Sequence, residues 1–260
     1  MTESTEALVH RNLDDRGLLT LTLNRPQAFN ALSQAMLAAL QAELDAVLDD
    51  DSVRVVVLAA AGKAFCAGHD LKEMRADPSL GYYSRLFAQC SRVMLSIREL
   101  PVPVIARVHG IATAAGCQLV AQCDLAVASS EARFAVSGVN LGLFCSTPSV
   151  PLSRNVGQKQ AFEMLVTGEF IDARQALARG LVNRVAEPDA LDAETGKLVS
   201  SILAKPRVAV AMGKELFYRQ AELGIEAAYE AAGSTMACNM MDEAALEGVQ
   251  AFIEKRTPRW

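Results

Sequence analysis

A chain of 260 residues, half of them hydrophobic and a fifth charged, is long enough for one large α/β domain, or for a domain of about 200 residues with a helical appendage, and its composition excludes disorder. The 25 basic residues against 30 acidic ones, with no basic block, exclude nucleic acid as an expected partner. No uncharged apolar run reaches the roughly 20 residues that a membrane helix requires, so no membrane partner is expected either.

The first segment, MTESTEALVHRNLDD, is polar and acidic and lacks the features of a secretory signal or a transit peptide, which makes a cytoplasmic protein the expectation. LLTLTLNRP (Leu18 to Pro26) alternates as a strand does and stops at Asn-Arg-Pro. Leu32, Met36, Leu40, Leu44 and Leu48 recur every four residues and predict a helix with one buried face. VRVVVLAA (Val53 to Ala60), PVPVIARVHG (Pro101 to Gly110) and LAVASS (Leu125 to Ser130) predict further strands, separated by helices over Tyr82 to Glu99 and Ala114 to Gln122. This alternation predicts a parallel or mixed sheet with helices packed outside it.

After Pro148 the pattern becomes helical: Gly157 to Val166, then Asp172 to Arg179 closed by Gly180, then one short strand in LVNRVAE. From Leu191 onward consecutive helices are predicted, with a break at Lys205-Pro206, then Val208 to Gln220 and Ile225 to Lys255. The six cysteines, Cys66, Cys90, Cys117, Cys123, Cys145 and Cys238, show no CxxC and no His pairing at ligand spacing, and are expected as reduced core thiols.

Two segments share a strand, a run of Gly and Ala, and a helix: VVVLAAAGKAFCAGHDLKEM and VIARVHGIATAAGCQLV. Small residues at such a turn let a ligand approach the backbone, and the first N–H groups of a helix have no internal partner. Two such groups aimed at one oxygen form an oxyanion hole. Gly and Ala at strand ends are also ordinary packing devices, so the pattern by itself leaves both readings open.

FCAGHDLKEM, PVPVIARVHG, AAGCQLVAQCDLAVAS, MLVTGEFIDARQALARGLVNRV and the terminal AFIEKR are similar, in order from about Leu18 to Arg256, to the enoyl-CoA hydratase/isomerase, or crotonase, superfamily. Within it, GHDLKEM, AAGCQLVAQCDLAVAS and GVNLGLFCSTPSV look most like the enoyl-CoA hydratase domain-containing protein 3 group. The resemblance implies the crotonase spiral fold, an α/β fold of repeated ββα units with a C-terminal helical region. It divides the chain into a core over residues 1–195 and a trimerisation and CoA-capping region over 196–260. It further implies a homotrimer or dimer of trimers. The implied ligand is an acyl-CoA or enoyl-CoA thioester, with coenzyme A present as part of the substrate and no separate cofactor or metal.

The same resemblance implies that the backbone N–H groups of His69 and Ala115 hold the thioester carbonyl, Ala115 being compatible where the position does not require positive φ. Only the backbone is implied at His69, although its imidazole titrates near neutrality. CoA is expected near Cys66, Ala67, His69, Asp70, Leu71, Lys72 and Ala115, with Phe252 and Lys255 at its nucleotide end, often across a subunit boundary.

Hydratases of the superfamily use two glutamates, and here Gln118 and Gly138 stand at those positions. An amide can orient a water but cannot accept its proton, and glycine offers no side chain. The remaining polar candidates nearby are Ser137, Asn140, Cys145 and Ser146, each more readily read as a packed loop residue, while Asp124 suits structural hydrogen bonding. The expectation is therefore a nominal enoyl-CoA hydratase or isomerase with slow or altered chemistry. The alternative is a non-catalytic acyl-CoA-binding or regulatory protein of fatty-acid metabolism. Ser or Cys hydrolase chemistry is disfavoured: besides His69 the histidines are His10 and His109, and no Ser, His and Asp set matches.

Overall fold

The computed structural model describes residues 6–260; the first five residues of the acidic N-terminal segment lie outside them. VHRNL forms β1 (Val9–Leu13), which pairs antiparallel with β2 (Leu18–Leu23). The sequence gives no sign of β1 because only Val9 is buried in it. In β2 the alternation holds, with Leu19, Leu21 and Leu23 fully buried. Ser33 then caps α1 (Gln34–Leu48), its Oγ accepting the Met36 N–H at 3.1 Å. The helix buries Met36, Leu37, Leu40, Leu44 and Val47, whereas Leu48, expected on that face, is exposed.

A strand-strand-helix unit now occurs three times. The first is β3 (Val55–Ala60), β4 (Ala64–Cys66), then α2 (Leu71–Ala76) and α3 (Leu80–Glu99). The second is β5 (Val104–Val108), β6 (Ile111–Thr113) and α4 (Ala115–Gln122). The third is β7 (Leu125–Ser129), β8 (Arg133–Ala135), a 3-10 turn over Ser137–Leu141, and α5 (Ser146–Asn155). After these come α6 (Gln158–Thr167), β9 (Ile171–Asp172), α7 (Ala173–Ala178) and β10 (Arg184–Ala186). The chain ends in α8 (Leu191–Leu203), α9 (Arg207–Gln220), α10 (Ile225–Met240) and α11 (Glu243–Glu254).

In each unit the first strand joins a six-stranded sheet, ordered β1-β2-β3-β5-β7-β10 and parallel except for β1 against β2. The second strand joins a four-stranded sheet, β4-β6-β8-β9, parallel except for β8 against β9. The central strands are buried on both faces, as a sheet covered on both sides must be. Val56 and Leu58 of β3 enter the main core, while Val55 and Val57, with Ile105 and Val127, pack against Leu191 and Val199 of α8.

This layering positions the functional region. β4, β6 and β8 are neighbours and run parallel, with Cys66 paired to Ala112 and Thr113 to Ala135. The segments that follow them therefore leave the small sheet at one end, side by side. Those segments carry His69, Ala114 with Ala115, and Gly138 with Cys145.

Candidate functional site

The three segments enclose a cavity of about 360 Å³ whose wall includes Ala67, His69, Leu71, Ala115, Ser137, Gly138, Cys145 and Ser146. Met74, Phe87, Leu141, Leu143, Phe144 and Pro148 make most of the remaining wall apolar. Among the described residues, no Asp, Glu, Lys or Arg lines it.

The first two segments touch directly. Gly68 has φ +91°, and a methyl placed on it would lie 2.9 Å from the Ala114 methyl and 3.3 Å from Ala115 N. Only glycine fits both the dihedral and the space. Leu32 steadies this turn, its N–H donating to Gly68 O at 2.8 Å. Gly116 allows an even closer approach, because a Cβ there would stand 2.1 Å from Cys66 O. The start of α4 is thus pressed against the end of β4. Among the described residues, neither the His69 N–H nor the Ala115 N–H donates to a protein acceptor. The second is the first N–H of an eight-residue helix, where the backbone dipole adds a partial positive charge. The positive φ that tests an alanine here falls not on Ala115 but on Ala114, at φ 51° and ψ −121°.

The His69 side chain is partly buried, with Nδ1 3.3 Å from Leu32 O and its ring edge-on to Phe87 at 5.5 Å between centroids. Burial holds the imidazole below its usual pKa, against the opposing effect of the Leu32 carbonyl. Gln118 lies one helical turn beyond Ala115 on α4; it is buried, its Oε1 has no hydrogen-bond partner, and it is not part of the cavity wall. Gly138 is on the wall and its space is occupied: a Cβ there would meet Leu143 O at 2.5 Å and Cys145 Sγ at 2.7 Å. Its own N–H donates to Cys145 Sγ at 3.2 Å.

The other predicted residues divide by location. Ser137 Oγ is 2.8 Å from Thr113 Oγ1, and Asn140 donates to Gly168 O at 3.3 Å away from the cavity. Asp70 caps α2, accepting the Lys72 and Glu73 N–H groups, and its second oxygen accepts from Arg25 at 2.7 Å. Lys72 is exposed one residue past Leu71, and Cys66 is buried in β4 with its thiol pushed up to about 12 by burial. Phe252, 85% exposed, and Lys255, in the left-handed conformation at the end of α11, stand outside the cavity. Five of the six cysteines are buried free thiols, as expected; Cys238 is exposed and corrects that expectation. Sequence reading missed the apolar wall itself, from Met74 and Phe87 to the Leu141–Phe144 loop, because wall residues carry no chemical signature.

Among the described residues no cluster of three or more His, Cys, Asp or Glu could hold a metal ion, and no helix is long and apolar enough to cross a membrane.

Residues 14–260 match the model of the enoyl-CoA hydratase/isomerase family. The chain is 45% identical over 244 residues to the mouse (Mus musculus) enoyl-CoA hydratase domain-containing protein 3, mitochondrial, covering 94% of this chain and 81% of the mouse protein. The crystal structure of an enoyl-CoA hydratase from Mycobacterium smegmatis superposes with a TM-score of 0.97 at 70% identity, covering 98% of this chain and 99% of that one. That of human enoyl-CoA hydratase domain-containing protein 3 gives 0.94 at 43% identity, covering 97% and 100%. The mouse relative is named as a mitochondrial protein, which overturns the cytoplasmic expectation. The polar, acidic character of the first segment does not decide the compartment.

Proposed function

The chain belongs to the enoyl-CoA hydratase/isomerase family, has its crotonase fold, and from that premise we propose that it binds an acyl-CoA thioester with the carbonyl oxygen held between the N–H groups of His69 and Ala115. One observation carries this reading. Among the described residues the two N–H groups have no protein acceptor, and they belong to segments in direct contact whose residues line one largely apolar cavity. Fixed donors at the point where a carbonyl gains negative charge stabilise it without reorganising as the charge develops. Coenzyme A then enters as part of the substrate, near Ala67 and Leu71 of the cavity wall, with Lys72 the next residue of α2 and Cys66 at the end of β4. Phe252 and Lys255 would complete its nucleotide end from a neighbouring copy in a trimer or dimer of trimers, with residues 196–260 as the assembling region.

The cavity is poorly equipped for hydration. A water attacking C3 needs a base, and C2 needs a proton; each such group ordinarily contributes about 100- to 10,000-fold. With Gln118 off the wall and the volume beside Gly138 filled by Leu143 and Cys145, neither glutamate has a substitute carboxylate. That no carboxylate among the described residues is on the wall also supports the second reading, a protein that binds acyl-CoA without turning it over.

Melting temperature measured against a panel of acyl-CoA thioesters tests the binding. Ligand at about 100 times its Kd adds about 2.7 kcal/mol to stability, enough for a clear upward shift. No binding of any CoA species by calorimetry would overturn the assignment. Crotonyl-CoA hydration in the ordinary range of about 1 to 1,000 per second would overturn the argument from the absent acids.

A further inference from the structure

Gly248 stands in the middle of α11, where a glycine weakens a helix relative to alanine because it gives up more backbone freedom on folding. Trp260, the chain's one tryptophan, accounts for it: a Cβ on Gly248 would lie 3.1 Å from Cζ3 and 3.8 Å from Cη2 of that ring. The missing side chain is a seat for the indole. From the same ring Nε1 donates to Ala204 O at 3.3 Å, at the end of α8. That end is itself tied to the core. Lys205 O accepts from Arg54, one residue before β3, at 2.7 Å, and Arg207 pairs with Asp51 at 3.0 Å. Glu247 holds the returning chain against the helix, accepting from both terminal nitrogens of Arg256, at 2.6 and 2.8 Å, and from the Arg259 N–H at 2.7 Å. Such a hold matters for α11. Among the described residues only Ala251 is buried in it, while Leu246, Val249, Phe252 and Ile253 are exposed. A helix with few buried apolar contacts opens locally with ease, and the segment from Arg256 to Trp260 bridges this one to a fixed point of the core.

We propose that Trp260 is a positioning residue: seated on Gly248 and bonded to Ala204 O, it fixes α11 and so sets where Phe252 and Lys255 meet the nucleotide end of coenzyme A. This rests on the acyl-CoA reading above. An element that is in its binding position only about a tenth of the time weakens apparent affinity about tenfold, whereas one already fixed there imposes no such loss. Only a ligand that carries the nucleotide feels the difference, because the thioester itself is held by the segments of His69 and Ala115.

The test titrates the full chain and its Trp260→Ala, Trp260→Phe and Gly248→Leu variants by calorimetry with hexanoyl-CoA and with hexanoyl-pantetheine, which lacks the nucleotide. Trp260→Ala and Gly248→Leu are expected to bind hexanoyl-CoA about tenfold more weakly and hexanoyl-pantetheine unchanged. Trp260→Phe keeps a ring over Gly248 and should lie between Trp260→Ala and the unmodified protein. Gly248→Leu retains the tryptophan, so its emission should shift to the red as the ring leaves its seat. Melting curves verify that each variant is folded, and sedimentation is expected to give each the mass of the unmodified protein. Unchanged affinity of a folded Trp260→Ala variant for hexanoyl-CoA overturns the proposal. So does an equal loss for both ligands, or a loss that accompanies a fall in mass. An unmodified protein that binds the two ligands equally well also overturns it and leaves acyl-CoA binding standing, whereas binding of neither ligand overturns both.

Discussion

Ala114 holds φ 51° and ψ −121° one residue before the Ala115 N–H, a conformation that favours glycine. Backbone strain of this kind stores about 1–3 kcal/mol, and the greater freedom of glycine in the unfolded chain offsets about 0.4–1 kcal/mol of any relief. Ala114→Gly is therefore expected to stabilise the protein by about 1 kcal/mol, seen as a higher urea midpoint at unchanged slope. A lower midpoint would mean that the methyl contributes packing worth more than the strain. Gly138 gives the opposite case, because its missing Cβ is replaced by neighbours at 2.5 and 2.7 Å. Overpacking typically costs about 1–3 kcal/mol, so a Gln118→Glu, Gly138→Glu double variant should melt lower and still fail to hydrate crotonyl-CoA. Recovery of a hydratase rate by that variant would contradict the geometry. The identities of Gln118 and Gly138 are plain in the sequence, and the proposed want of acids follows from them. It does not reveal that Leu143 and Cys145 fill the volume, or that the positive φ falls on Ala114, because both depend on how segments cross in space.

At the scale of elements, α9 is held by polar contacts around Lys214, its only buried residue. Lys214 Nζ donates to Asp124 at 2.7 Å and to the carbonyls of Ile97 and Val102 at 2.9 Å. Asp124 also accepts from Tyr218 Oη and the Val104 N–H, both at 2.7 Å, so the pair is fully hydrogen-bonded and ties α9 to β5 and to the end of α4. Burial holds Lys214 below its usual pKa while Asp124 opposes that effect. Removing one partner of a buried pair strands the other charge, and Asp124→Ala should cost about 3–5 kcal/mol by chemical denaturation. A loss below 1 kcal/mol would show that α9 is held by other contacts. The structural role expected for Asp124 is thus visible as three bonds, although its partner ninety residues away was not readable from the chain. Long elements were readable because periodicity needs length: β2, β3, β5, β7, α1 and α3 all follow their patterns. The strands of the small sheet have only two or three residues each and leave no pattern. α5 was hidden by Pro148 and Pro151, and the run from Ile225 is two helices because Asp242 caps a new start at Ala244 N.

For the whole molecule, the unresolved demand is the apolar surface of the last helices. Ile225, Tyr229, Met236 and Met240 are exposed on α10, and at 100° per residue their spacing places them within roughly a 60° sector. Met241, Leu246, Val249, Phe252 and Ile253 extend the exposed apolar set into α11. A stable interface needs about 1,000 Å² of buried surface, with apolar area contributing about 25 cal/mol per Å². A stripe of this kind fits association of copies, and the trimer proposed above predicts a sedimentation mass three times 27.8 kDa, or a multiple of it. Tyr229→Glu with Met236→Glu places two charges in that stripe and should shift the mass toward the single chain. The same variant tests how the site is completed. If Phe252 and Lys255 reach CoA from a neighbouring copy, separation of the copies weakens binding of the whole thioester but not of an acyl-pantetheine lacking the nucleotide. Equal loss for both ligands would place the damage at the cavity itself, and no loss for either would mean that each copy binds CoA alone.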